Sequence, residues 1–98
     1  MKFRIKIDTE AQTDIQEAID WYNNKQKGLG KKFYSEVENS VASLSINPFY
    51  RIVYDQVRCF PLKRYPYLIH FTIEEEKQLV VIRAVFHTSR SPKVWKNR

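Results

Sequence analysis

The chain has 98 residues, 43% of them hydrophobic and 14% aromatic, and a formal net charge of +6. That is the composition of one small globular domain spanning 1–98, and two glycines and four prolines exclude a disordered or low-complexity chain. A single cysteine, Cys59, excludes an internal disulfide, and the longest apolar run, "LVVIRAVF", is too short for a bilayer and is interrupted by Arg83, so the expectation is a cytoplasmic protein that avoids membranes.

In "KFRIKI" the apolar Phe3, Ile5 and Ile7 alternate with basic residues, which predicts a first strand with one buried face. Thr9 followed by Gln12 reads as a capping box, and Ala11, Ile15, Ala18, Ile19 and Tyr22 then recur at helical spacing. "NNKQKGLG" interrupts this helix. Leu29, Phe33, Val37, Val41 and Leu44 predict a second helix that stops before Asn47-Pro48, so the two should form a hairpin. Beyond residue 50 the period changes. "VRCFPLKRYPYLIHFTI" reads as two extended runs meeting near Lys63–Pro66, and "EEEKQ" separates the second from "LVVIRAVF". The predicted architecture is α+β in the order βααβββ, a helix hairpin packed on a small antiparallel-meander sheet whose other face is free to carry a site.

Charge is unevenly placed. Residues 1–49 hold seven Lys/Arg and seven Asp/Glu, whereas residues 50–98 hold ten and four, with no acid after Glu76. The second half therefore favours a polyanion or an acidic protein partner. Two scattered histidines and one cysteine make no zinc pattern, and no phosphate-cradling glycine loop or nucleophile elbow occurs, so neither cofactor nor metal is expected.

The helix hairpin contains "WY" and "GLG", residues 64–67 read R-x-P-Y, and the chain closes on H-x-S-R-x-P-x-x-W at 87–95. In this order and spacing the sequence resembles toxins of the RelE/ParE superfamily, from type II toxin–antitoxin (plasmid stabilisation) systems, over nearly its whole length. The resemblance implies the same βαα-meander and a cognate antitoxin as partner, in an assembly such as a heterotetramer. RelE-like members are ribosome-dependent, metal-independent endoribonucleases that cut mRNA, and ParE-like members poison DNA gyrase. "KRYPY" and the closing motif resemble the ParE side. The expectation is a growth-inhibiting gyrase poison, with an endoribonuclease or an inactive relic that only binds antitoxin as the alternatives.

Cleaving RNA with its own 2′-hydroxyl requires a base, charge stabilisation at phosphate and a proton for the leaving oxygen. His87, Arg83 and Arg58 are the candidates for that chemistry, and alternation along the last strand puts Arg83, Val85 and His87 on one face. Arg83 would otherwise find an ion-pair partner such as Glu36 or Asp55. Lys63, Arg64, Arg90, Lys93, Trp95, Lys96 and Arg98 are the candidates for contacting a target. His70, Trp21, Tyr22 and Cys59 read as packing residues, and Ser91-Pro92 as the start of a short turn that docks the Trp95 indole.

Overall fold

The computed structural model describes residues 2–96. Strand β1 (Arg4–Ile7) leads into helices α1 (Thr9–Lys25) and α2 (Leu29–Ile46), followed by β2 (Ile52–Tyr54), β3 (Val57–Pro61), β4 (Tyr67–Glu74), β5 (Leu79–His87) and a short α3 (Pro92–Lys96). The sheet order is β1-β5-β4-β3-β2, with β1 parallel to β5 and every other pairing antiparallel. This is the predicted α+β hairpin-on-sheet arrangement with one strand more than expected. Strand β2 has only three residues and turns into β3 through Asp55 and Gln56, both at positive φ (43° and 65°). A glycine would ordinarily mark such a turn, and its absence hides the hairpin from a sequence reading.

The start of α1 also departs from expectation. Thr9 lies inside the helix and Asp8 is the cap residue, but the Asp8 side chain does not cap. Its carboxylate instead pairs with Arg83 at 3.1 Å, and the Gln12 amide donates to the Ile7 carbonyl at 3.0 Å. At the hairpin turn, Gly28 takes a left-handed conformation (φ 92°), while Gly30 lies so close to α1 that a Cβ there would sit 2.6 Å from the Asn23 side chain. Asn23 accepts the Gly30 N–H at 2.9 Å, so "GLG" is what lets the two helices turn and meet.

The core lies between the hairpin and one face of the sheet. Phe33, Leu44, Ile69, Phe71, Val80 and Ile82 are fully buried in it, and Tyr22 stacks on Phe33 (5.3 Å) with Tyr65 and Tyr67 edge-on to the Phe33 ring. Tyr22 thus packs as expected, whereas Trp21 is 52% exposed and carries Lys25 over its ring.

Pairing between β4 and β5 slips at one point. His70 faces Ala84 and Phe71 faces Ile82, leaving Arg83 as an extra residue. Such a bulge reverses the alternation beyond it. Val80 and Ile82 face the helices before the slip, and Val85 faces them after it. Arg83 turns instead to the opposite face, bonding Thr72 (3.1 Å) and Asp8. The expectation that Arg83, Val85 and His87 share a face is corrected by this one unpaired residue, and the ion-pair partner is Asp8 rather than Glu36 or Asp55.

Candidate functional site

The features with chemical character gather at the end of the sheet where β4 begins and β5 ends. The Thr88 N–H donates to the Pro66 carbonyl at 2.8 Å, clamping the turn after β5 to the loop joining β3 and β4. A cleft opens on either side of this clamp, one beside α1 and the other beside α2.

The α1 cleft, of about 340 Å³, is lined by Asp14, Glu17, Trp21, Tyr67, His87 and Arg90 among others. Strand β1 has already ended here, and Asp14 accepts the Val85 N–H at 3.0 Å in place of a strand neighbour. The His87 ring packs edge-on to Tyr67 (5.2 Å), and its Nδ1 accepts the Ser89 N–H at 3.0 Å, with the Ser89 hydroxyl at 2.8 Å. When neutral, this imidazole therefore carries its proton on Nε2. Burial raises the Tyr67 phenol above its ordinary value, opposed by the Arg90 charge. Arg90 lies over Phe86 at 5.6 Å.

The α2 cleft is larger, about 590 Å³, and its rim differs in charge: Lys32, Lys63 and Arg64 stand against Glu36, with Asn39 and Ser40 along the helix. Glu36 accepts the Arg64 backbone N–H at 3.0 Å, which fixes the loop on the helix. The sequence reading found Lys63 and Arg64 but missed Lys32. The signal was the pair Lys31-Lys32 in a first helical turn that contains no acid, the reverse of what the helix dipole favours.

The remaining candidates lie elsewhere. Arg58, on β3, donates to the Tyr50 carbonyl (3.0 Å) and lies over the Phe49 ring (5.6 Å). It faces Phe71, four residues along β4 from the Tyr67 that faces His87, so roughly 13 Å separates the two at about 3.3 Å per residue. Arg83 is on the opposite face. Among the three residues put forward for cleaving phosphate, no two converge.

That opposite face is only partly open. Fully buried His70 sits there, its Nδ1 2.9 Å from the Tyr54 hydroxyl and 3.7 Å from Cys59 Sγ, with the Trp95 ring 4.8 Å from its own. Helix α3 starts at Pro92 as expected and lays Trp95 on His70 and Tyr54. Burial pushes the Cys59 thiol up to about 11, against the Arg51 charge, so it stays protonated at neutral pH. Lys93 is exposed on α3; the Lys96 side chain and Arg98 lie outside the described residues. Among the described residues, no group of three or more His, Cys, Asp or Glu side chains is arranged to hold a metal ion, and no helix is long and apolar enough to cross a membrane.

Residues 5–92 match the family model described as the ParE toxin of the type II toxin–antitoxin system, parDE. The chain belongs to the ParE toxin family. Among solved structures, this toxin is similar to a chain of the chromosomal ParDE toxin–antitoxin system of P. aeruginosa (TM-score 0.78, 18% identity, covering 88% of this chain and 96% of that one). It is also similar to a chain of the RelBE2 toxin–antitoxin complex of Mycobacterium tuberculosis (TM-score 0.62, 20% identity, 89% and 92%) and to the isolated E. coli RelE toxin (TM-score 0.51, 13% identity, 97% and 94%). At these identities the structural likeness speaks for the fold. No curated protein matches the toxin's sequence significantly.

Proposed function

We propose that this type II toxin stops growth by poisoning DNA gyrase, gripping its target with the basic end of the sheet, and that a cognate antitoxin neutralises it. The observation that carries this reading is the dispersal of Arg58, Arg83 and His87. Arg83 is committed to Asp8 and Thr72, Arg58 to the Tyr50 carbonyl, and His87 sits in a cleft with two carboxylates that disfavour a phosphate. A ribonuclease needs such groups around one phosphate, whereas a poison that only binds does not. Lys63, Arg64, Arg90 and Lys93 supply the contacts, with Lys96 and Arg98 continuing the basic run in sequence.

The antitoxin half of the proposal rests on family membership and on the charge of the second half of the chain. An acidic segment that orders as it binds matches this surface electrostatically. The apolar trough between β1 and α2, lined by Ile5, Ile7, Tyr34, Val37 and Val41, offers its hydrophobic residues a place to dock. Two toxins with two antitoxins is the assembly that light scattering on the co-purified complex should find. Both gyrase and ribosomes are cytoplasmic, and so is the site of action proposed for the toxin.

The deciding experiment incubates purified toxin with gyrase and supercoiled DNA and, separately, with programmed ribosomes. Trapped gyrase–DNA breaks that persist in His87→Ala support the proposal. Messenger RNA cut in a His87-dependent manner would replace it with the nuclease.

A further inference from the structure

We propose that the cleft between α2 and the β3–β4 loop holds the phosphate backbone of duplex DNA, giving Lys63 and Arg64 a ligand and adding Lys32 to them. This goes beyond the gyrase reading and stands without it.

Two observations converge on the cleft. Lys32 from the helix and Lys63 and Arg64 from the loop line one concavity, and none of the three charged groups pairs with a carboxylate among the described residues. The one acid present, Glu36, already accepts a backbone N–H. Secondly, Lys32 belongs to a first turn with two lysines and no acid, where the helix dipole adds to the positive potential instead of offsetting it. The arrangement works against helix stability, and a ligand with negative charge supplies the missing compensation. Ser40 also lines the cleft from α2 and adds a hydroxyl to its donors.

The lining also selects the kind of anion. Ammonium, guanidinium, hydroxyl and amide groups are the donors that proteins aim at phosphate and sugar. The aromatic residues here, Phe60 and Tyr65, are buried and half-buried within the core packing, so the cleft lacks the exposed stacking platform that single-stranded nucleic acid requires. A duplex presents its backbone as a ridge with no unstacked bases, and the toxin would bind it without regard to sequence.

Fluorescence anisotropy of the full-length toxin with a labelled duplex of about 20 bp, in the absence of gyrase, tests this. Three phosphate contacts predict that log K falls against log salt with a slope near ~2.7. Lys63→Gln with Arg64→Gln should remove about two units of that slope and Lys32→Gln about one, each with an unchanged melting temperature. Lys6→Gln, on exposed β1, should leave the slope unaltered. Absence of duplex binding, or an equal loss from Lys6→Gln, would overturn the proposal. So would tighter binding of single-stranded RNA, or displacement of the duplex by polyglutamate of matched charge, which would make the cleft an acidic-protein surface. Duplex binding that depends on Lys63 and Arg64, alongside a failure to trap gyrase, would retain this inference and remove the gyrase reading.

Discussion

The two clefts where β4 begins and β5 ends share a helix hairpin and a backbone clamp, yet their walls carry opposite charge. Beside α1, Asp14 and Glu17 outnumber Arg90, and the Asp14 carboxylate is spent on a backbone N–H of β5. Beside α2, Lys32, Lys63 and Arg64 outnumber Glu36, and their charged groups bond to nothing described. The difference is between side chains that close a gap in the fold and side chains held ready for something else. Stability and target binding should therefore separate between the two clefts, and that separation can be tested.

The largest effect is expected on the α2 side. Reversing charge with Lys63→Glu and Arg64→Glu should lower gyrase trapping by about 100-fold or more, as loss of paired interface charges does, while the melting temperature moves little. An equal loss from reversing Lys6 on β1 would erase the distinction between the clefts. On the α1 side the outcome inverts. Asp14→Ala leaves the Val85 N–H buried without its partner and should cost about 1–3 kcal/mol of stability by urea denaturation, with activity per folded molecule retained.

Alkaline pH gives a smaller effect and a sign that can be checked. Burial, with lesser contributions from Tyr67 and Tyr65, raises Tyr22, and burial raises Tyr67; both phenols lie above the ordinary 10.0, and Cys59 rises from 9.0 to about 11. Each stays protonated in the fold after the unfolded chain has released its proton. Their stabilisation is complete below about pH 9 and is lost as pH rises through the folded values. The melting temperature should decline from pH 9 upward, and Cys59→Ala should flatten the part between 9 and 11. A level melting temperature over that range would contradict the burial of all three. The smallest effect belongs to His87→Ala: less than about threefold on gyrase trapping, because a gyrase poison as proposed asks no proton transfer of it.

Most of the fold was legible because amphipathic periods are long-range consequences of burial. Ile5 and Ile7, the Phe33 stripe of α2 and the apolar run of β5 each announce which face is covered. What stayed hidden depended on single residues. Asp55 and Gln56 adopt a turn usually marked by glycine, so β2 went unseen, and Thr9 was expected at the cap position that Asp8 occupies while its carboxylate holds Arg83. In the candidate site, Lys63 and Arg64 were found from their charge, whereas their relation to Lys32 exists only once α2 is laid against the β3–β4 loop. The separation of Arg83 from His87 has a local reason too: a sequence shows that Arg83 interrupts an apolar strand but not that it has no strand partner opposite.

That residue without a strand partner has a further consequence. It divides β5 into two stretches of opposite phase, so that Val80 and Ile82 answer to the helix hairpin while, past the slip, Ala84 and Phe86 sit on the side of His70 and Trp95. Losing the slip with Arg83 retained would rotate everything downstream by half a turn, carrying His87 away from α1 and Phe86 into its place, whereas deleting Arg83 would straighten the strand and leave both where they are. The slip thus acts as a phase setter for the end of the chain: it decides which layer the closing segment serves, independently of the composition of that segment.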